Sequence, residues 1–266
     1  MSEILGLSHL IFSSPSRILR GGSPLEKLFL RPVFENFDHS EPKKALLRLK
    51  TDERTNLTLY ASAEGDLPAI ELIPSKCEIS RPLTSYGMIF PENRKEIFEG
   101  LQKFQLTAKI AEKLSFTKVC ILEEIPSLIA ISPELENHSC SMGAWIQVPN
   151  ISSSVDFFAN FAGSKIIEQT EDHALFTIKV MNKKFSTFLI AIFKSGNLEQ
   201  NFYNDDIGLA AFGWFAKKIP QFPEKLTNSY SASPEFGINI KDKKFKAVFF
   251  YDNKSQSNEI MVMDRT

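Results

Sequence analysis

The sequence predicts an α+β protein built from four repeats of one unit, in which a strand and a helix are followed by three more strands. Short apolar strands restart this pattern near residues 7, 86, 142 and 207. Such restarts form an internal repeat at degenerate spacing. Residues 33–37 alternate apolar and polar side chains, as in a half-buried strand, and most other predicted strands are short apolar runs. With 266 residues, 43% of them hydrophobic, the chain is long enough for one large domain or two ordinary ones.

The first unit begins with an apolar strand over residues 7–13, which carries one histidine, His9. Ser23 and Pro24 predict a short helix that ends by Pro32, because serine caps a helix and proline suits its first position. Further strands are predicted over residues 33–37, 44–49, 56–60 and 69–73. The last of these strands places one carboxylate, Glu71, inside an apolar run.

The second unit begins with a strand at residues 86–90, and Pro91 opens a helix with Ile97, Leu101 and Phe104 at helical spacing. Strands are predicted over residues 106–114, 116–122 and 127–132. The polar stretch 133–140 lacks periodicity, so it predicts a domain linker with a boundary near Ser139.

The third unit has strands over residues 143–148, 165–169, 174–180 and 185–193. Its helix is predicted to start at an Asn or Ser cap in the stretch that begins at Asn150, to contain Phe157 and Phe158, and to stop at Gly163. The fourth unit has a strand over residues 208–215, a short segment over 220–226, and strands over 236–240, 244–251 and 259–262.

Composition and charge narrow the range of partners. The 31 basic and 32 acidic residues nearly cancel, so the chain lacks the basic surface that nucleic acid requires. The sequence shows neither a leader-like start nor an apolar run of about 20 residues, so we expect a cytoplasmic protein without a membrane partner. Cys77, Cys120 and Cys140 lack metal-ligand spacing and are expected to be reduced thiols.

Three of these pieces resemble the vicinal-oxygen-chelate superfamily, which includes glyoxalases, bleomycin-resistance proteins and extradiol dioxygenases. They are Gly6-Leu-Ser-His9, Ala69-Ile-Glu-Leu72 and the strand and helix of the third unit. The resemblance covers almost the whole chain. It implies that four βαβββ modules pair into two glyoxalase-like open cups of curved mixed sheet. The expected domains are residues 1–136 and a degenerate second cup at residues 141–266.

The resemblance also implies a metal site on the first and last strands of a cup, where His9 and Glu71 are the expected ligands. An imidazole and a carboxylate bind a borderline divalent ion and leave positions open for substrate oxygens. The matching positions of the second unit are Gly87, beside Tyr86, and a residue near Ala130, and neither is a ligand. A hydrogen bond between His9 and Glu71 without metal accounts for both residues as well. We therefore expect either no cofactor or one divalent metal (Zn, Ni, Mn or Fe) in domain 1.

Domain 2 is expected to be free of metal. Its corresponding positions fall at residues 143–145, near 190–191, at Leu209 and at Met261, and none offers an imidazole or a carboxylate. Such a lining favours an apolar or aromatic ligand instead. The expected ligand-binding residues are Trp145, Phe212, Trp214 and Met261.

Two functions follow from these patterns. The favoured one is a small-molecule-binding protein with an aromatic cup, without a complete metal site, acting as a monomer or homodimer. The alternative is a metal-dependent glyoxalase-like lyase or isomerase, or a ring-cleaving dioxygenase, that uses His9 and Glu71, with Tyr86 as an acid or substrate-orienting group. A purely structural role is a third reading. No nucleophile elbow, phosphate loop or zinc-protease motif is present in the sequence.

Overall fold

The structure is a computed structural model that describes residues 3–15, 25, 30–36, 57–75, 80–106, 108–122, 125, 127–182, 186–195, 206, 208–221, 230–240, 243–252 and 257–263. Within these residues the strands are β1 (Ile4–Pro15), β2 (Leu30–Asn36), β3 (Leu57–Ser62), β4 (Ala69–Ser75), β5 (Tyr86–Phe90), β6 (Lys118–Leu122), β7 (Ser127–Ile131), β8 (Met142–Val148), β9 (Lys165–Gln169), β10 (His173–Lys179), β11 (Thr187–Lys194), β12 (Gly208–Ala216), β13 (Tyr230–Ala232), β14 (Phe236–Ile240), β15 (Lys243–Asp252) and β16 (Ser257–Met263).

The described helices are short. Two are 3₁₀ helices, at Leu83–Ser85 and Glu92–Phe98, and three are α-helices, at Ala108–Lys113, Glu134–Asn137 and Ile151–Val155. The last of these continues as a π-helical turn over Asp156–Phe161. None of the described helices is long and apolar enough to cross a membrane.

The strands form two mixed sheets, which makes the fold α+β as predicted. One sheet has nine strands in the order β13-β15-β16-β12-β1-β4-β3-β2, with β14 paired to β15. The other has seven strands in the order β6-β7-β5-β8-β11-β10-β9. Each sheet has an antiparallel pair at its centre, β1 with β12 and β5 with β8.

The first and fourth units therefore share one sheet, and the second and third share the other. Neither sheet is confined to residues 1–136 or to residues 141–266, whereas the sequence repeat placed adjacent units in one cup. Units one and four each start with a strand that has one edge paired within its own unit, β1 with β4 and β12 with β16. Their remaining edges satisfy each other's backbone hydrogen bonds across the centre of the sheet.

One face of each sheet packs into a common apolar core. This core takes Phe12 and Phe212 from the nine-stranded sheet and Met88 from the seven-stranded one, and it also contains the third unit's helix. The Phe158 ring of that helix lies 5.8 Å from Phe212 and 5.8 Å from Phe176, so it touches both sheets. The opposite faces of the sheets are consequently left for separate sites.

Several local predictions are corrected. Residues 106–114 were expected to form a strand, but they contain the helix Ala108–Lys113, because Leu106, Ile110 and Leu114 recur every four residues and are buried together. The expected linker at 133–140 contains the helix Glu134–Asn137, anchored by the buried Leu135.

The capping prediction for the third unit is confirmed. The Asn150 side chain accepts a hydrogen bond from the Ser153 amide, and Gly163 has a φ of +71° after the helix. The helix predicted after Ser23 and the strand predicted at 44–49 lie almost entirely outside the described residues, as does Cys77.

Candidate metal centre

Three potential metal ligands meet on one face of the nine-stranded sheet, which we call cup one. His9 on β1, Glu71 on β4 and Glu259 on β16 each offer one ligand atom, and these atoms lie within 4.8 Å of one another. His9 Nε2 is 3.5 Å from Glu71 Oε2 and 3.2 Å from Glu259 Oε2. The expected meeting of His9 and Glu71 is present in this geometry, and a second carboxylate joins them.

A β-bulge aims His9 into the cup. Leu7 pairs with Trp214 and His9 with Gly213, so Ser8 is an extra residue on β1. Without a bulge, Leu7 and His9 would share a face. Instead Leu7 joins Leu10 and Phe12 in the core between the sheets, and His9 turns to the opposite face. The Ser8 hydroxyl then lies 3.1 Å from His9 Nδ1 and fixes the far side of the ring.

The regular alternation of side chains along β4 and β16 places both carboxylates on the outer face of the sheet. On β4, Ile70 and Leu72 enter the core between the sheets, so Glu71 between them points the other way. On β16, Ile260 enters the same core and Glu259 again takes the opposite face. The side chain of Glu71 is 16% exposed and that of Glu259 is 6% exposed, so Glu71 lies nearer to solvent.

The electrostatics of the group are those of a buried imidazole between two acids. Burial by itself lowers the pKa of His9, but Glu259 and Glu71 oppose this effect and the pKa is raised above its usual value. Although His9 Nε2 and Glu259 Oε2 are close, neither atom has an aligned hydrogen bond among the described residues.

The strand register also identifies a fourth position in the site, which is the residue on β12 equivalent to His9 on β1. Glu71 pairs with Ile11, two residues beyond His9 on β1. Glu259 pairs with Gly213, so the residue equivalent to His9 on β12 is Ala211. Unit four thus supplies one potential ligand, Glu259, and an alanine where unit one has its histidine.

This register corrects the sequence alignment of the fourth unit. The sequence alignment predicts Leu209 and Met261 as its potential ligand positions, whereas by strand register the equivalent positions are Ala211 and Glu259. Both errors are two residues long. Met261 and Glu259 share a face of β16, because a shift of two keeps a side chain on the same face of a regular strand, whereas an irregularity at Ala210 puts Leu209 in the core between the sheets and Ala211 on the outer face. The polarity pattern could not reveal the shift, but matching Ser257-Asn-Glu259 to Ala69-Ile-Glu71 would have found Glu259.

The second cup, on the outer face of the seven-stranded sheet, has no ligand at the equivalent described positions. By the same register they are Gly87 and Ala130 in the second unit and Gly143 and Ala191 in the third. The Trp145 indole lies over Gly87, where a Cβ atom would be 2.0 Å from the ring. This cup is filled by its own apolar residues, including Phe116, whose ring is 5.2 Å from that of Trp145.

The structure does not bring the four predicted ligand-binding residues together. Trp145 is in the second cup, whereas Phe212 and Trp214 lie in the core between the sheets, where Asn258 accepts the Trp214 indole hydrogen bond at 3.0 Å. Met261 lies on the outer face of β16, in a small cluster with Phe245 and Ala247.

Tyr86 also lies apart from the three potential ligands. It is buried in the core between the sheets, and its hydroxyl approaches the backbone of Gly208. Burial raises the pKa of Tyr86, so the phenol keeps its proton.

An apolar wall borders the three ligands. Ile11 and Ile73 lie beside the histidine and Glu71, and Phe249 pairs directly with Glu259 across β15 and β16. The Phe249 ring is stacked on Phe236 at 5.8 Å, and Tyr251 is stacked on Phe249 at 5.8 Å. Cup one therefore combines a polar centre with a row of parallel aromatic rings.

Comparison with solved structures identifies the fold. A variant of glyoxalase I from Zea mays has a TM-score of 0.59 at 10% identity, and the match covers 96% of this chain and 92% of that one. Unmodified Zea mays glyoxalase I has a TM-score of 0.54 at 10% identity, with 97% and 92% covered. A candidate dioxygenase from Bacillus subtilis has a TM-score of 0.54 at 12% identity, with 98% and 86% covered.

No protein-family model matches the sequence, and no curated protein matches it. The similarity to the solved structures nevertheless extends over nearly the whole chain and includes both sheets. Together with the repeated units and their strand pairing, it shows that this chain has the fold of the glyoxalase I structures.

Proposed function

We propose that cup one binds one divalent metal ion through His9, Glu71 and Glu259, and that the protein is a metal-dependent enzyme of the vicinal-oxygen-chelate type. The observation that carries this proposal is the convergence of three ligand atoms within 4.8 Å on one face of the sheet. The fold supports the same reading, since the glyoxalase I structures have it too.

The residues present fit a metal ion. His9 and Glu259 are buried and the Glu71 side chain beside them is 16% exposed, and burying a carboxylate is costly unless a cation is close. His9 Nε2 and Glu259 Oε2 are both buried without an aligned hydrogen bond among the described residues. With Ala211 in the fourth position, three protein ligands leave coordination sites open, as catalytic metal centres require.

The donor set favours particular ions. One imidazole and two carboxylates are harder than the thiolate sets that select Zn²⁺ or Cu⁺, so we expect Mn²⁺ or Fe²⁺ to bind, with Ni²⁺ and Zn²⁺ as competitors. When bound, such an ion would act as a Lewis acid that polarises two neighbouring oxygens of a substrate.

The three ligands have different roles in this proposal. Glu259 is the more buried carboxylate and lies closer to His9, so it serves only to hold the ion. Glu71 is more exposed, which allows its carboxylate to accept a proton from a substrate carbon beside the polarised oxygens. Ile11, Ile73 and the stacked rings of Phe249 and Tyr251 favour a substrate whose remaining body is apolar or aromatic.

A metal-free binding protein is the competing function, because the same aromatic row favours an apolar ligand without any ion. An apolar fluorescent dye separates the two readings. Dye binding that is unchanged by a chelator, in a protein that takes up no metal, would support the binding protein.

The direct test is metal content and metal affinity. Protein purified without chelator is expected to contain about one equivalent of Mn, Fe, Ni or Zn, and calorimetric titration of the stripped protein should show one site. Glu71→Gln and Glu259→Gln should each weaken that site, while Glu99→Gln, which changes an exposed carboxylate, should not. Failure of the wild-type protein to bind any of the four ions would overturn the proposal.

A further inference from the structure

Gly213 lies directly opposite His9 in the central strand pair of cup one. A Cβ atom built on Gly213 would be 2.2 Å from His9 Cε1 and 2.5 Å from each ring nitrogen. Real Cβ atoms do not approach other heavy atoms so closely, so any side chain at this position would displace the ring. The His9 imidazole therefore packs directly on the backbone of β12.

The backbone itself does not require glycine here. Gly213 is not among the described glycines with positive φ, which are Gly6, Gly65, Gly100, Gly163 and Gly208. The backbone conformation at residue 213 is therefore open to alanine. In the absence of the His9 ring, alanine would stabilise the strand relative to the more flexible glycine. The three atoms nearest to a Cβ at this position all belong to the His9 ring.

Other residue pairs across the central strands show the same relation, in which a large ring lies opposite a glycine. Ala211, the residue equivalent to His9 in unit four, faces Ile11 rather than a glycine, and it carries no ring. In the seven-stranded sheet the large ring of Trp145 is again opposite a glycine, Gly87. At these positions a ring is present where the opposite strand has no side chain.

We propose that Gly213 is the positioning residue of the metal centre, because its missing side chain forms a seat for the His9 ring. Seated there, His9 directs Nε2 toward Glu71 and Glu259 while Nδ1 stays 3.1 Å from the Ser8 hydroxyl. The metal-binding part of this inference rests on the proposed function, whereas the seat itself does not.

A double-mutant cycle tests the seat. Gly213→Ala is made in the wild type and in His9→Ala, and unfolding of the metal-free proteins is followed in urea. The substitution is expected to lower the unfolding midpoint in the wild type and to leave it unchanged or raised in His9→Ala, where the methyl group enters vacated space. Gly237→Ala is the matched strand control, because a Cβ there meets no atom within 4 Å. If His9→Ala does not fold, His9→Ser removes the ring as well.

Metal titration supplies the second readout. Gly213→Ala is expected to weaken metal binding by at least about tenfold, the range seen when residues that orient a ligand are changed, whereas Gly237→Ala should bind as the wild type does. Wild-type affinity in Gly213→Ala would overturn the proposal, as would an equal loss of stability in both backgrounds of the cycle. If the wild-type protein binds no metal, the proposed function fails while the cycle still decides whether Gly213 seats His9.

Discussion

Replacing Glu259 by glutamine should weaken metal binding but raise the free energy of unfolding of the metal-free protein. In the metal-free protein at pH 6, below the ordinary histidine pKa of about 6.5, His9 carries a positive charge because the two carboxylates raise its pKa. At an effective dielectric constant of about 20, charges 3.2 Å apart attract by about 5 kcal/mol. Carboxylate oxygens no more than 4.8 Å apart repel by at least about 3.5 kcal/mol.

The Glu259 charge therefore gains less than about 2 kcal/mol from its two neighbours, whereas burying it costs several kcal/mol. Glu259→Gln keeps the volume and removes the charge, so the free energy of unfolding of the metal-free protein should rise by about 1–3 kcal/mol. The same change removes an anionic ligand and should weaken metal binding by at least about 100-fold, more than the loss of a residue that only orients a ligand.

Urea denaturation of chelator-treated protein and calorimetric metal titration measure the two effects, with Glu99→Gln as the exposed control. His9→Ala should change stability in the opposite direction, lowering the free energy of unfolding of the metal-free protein by about 3–5 kcal/mol, because it removes the imidazolium that lies 3.2 Å from the buried Glu259 carboxylate. If Glu259→Gln instead destabilised the metal-free protein by more than about 2 kcal/mol, Glu259 would be a structural anchor and the electrostatic reasoning would fail.

Three further predictions concern residues around the site and in the cores. Ser8→Ala should weaken metal binding by about tenfold in calorimetry by releasing His9 Nδ1, while Ser115→Ala, on an exposed turn, should have no effect. Asn258→Leu should lower the free energy of unfolding by about 1–3 kcal/mol, because it leaves the buried Trp214 indole N–H without its acceptor; Asn160→Leu, whose bond to Asp156 is exposed, should change it little. Burial raises the pKa of the Cys140 thiol to about 12, so peptide mapping should find it unalkylated at pH 8 until urea unfolds the protein. Since the unfolded thiol loses its proton first, the Cys140 contribution to stability should fall as pH rises from about 9 to about 12; rapid labelling of the native protein would contradict this.

The sequence by itself predicted most of the described strands, the four repeated units and, through the family resemblance, two of the three potential metal ligands. His9 and Glu71 stand out because a histidine and a carboxylate interrupt apolar strands, and polar groups in such runs need partners. Aligning the strand restarts also placed Gly87 and Gly143 at positions equivalent to His9, and residue type predicted an Asn or Ser cap for the helix of the third unit. These features depend on neighbours within a few residues, so periodicity and residue type reveal them.

Only the tertiary structure decided how the units pair and where each strand sits in its sheet. The pairing of β1 with β12 joins residues about two hundred positions apart, which no local pattern encodes, and it brings Glu259 to His9. Hydrogen bonding between strands fixed the register that separates Glu259 from Met261, because the two residues share a face and look equivalent in sequence. The bulge at Ser8 and the side-chain-free position at Gly213 likewise became visible only when the two strands lay side by side, since both act across the sheet on the ring of His9.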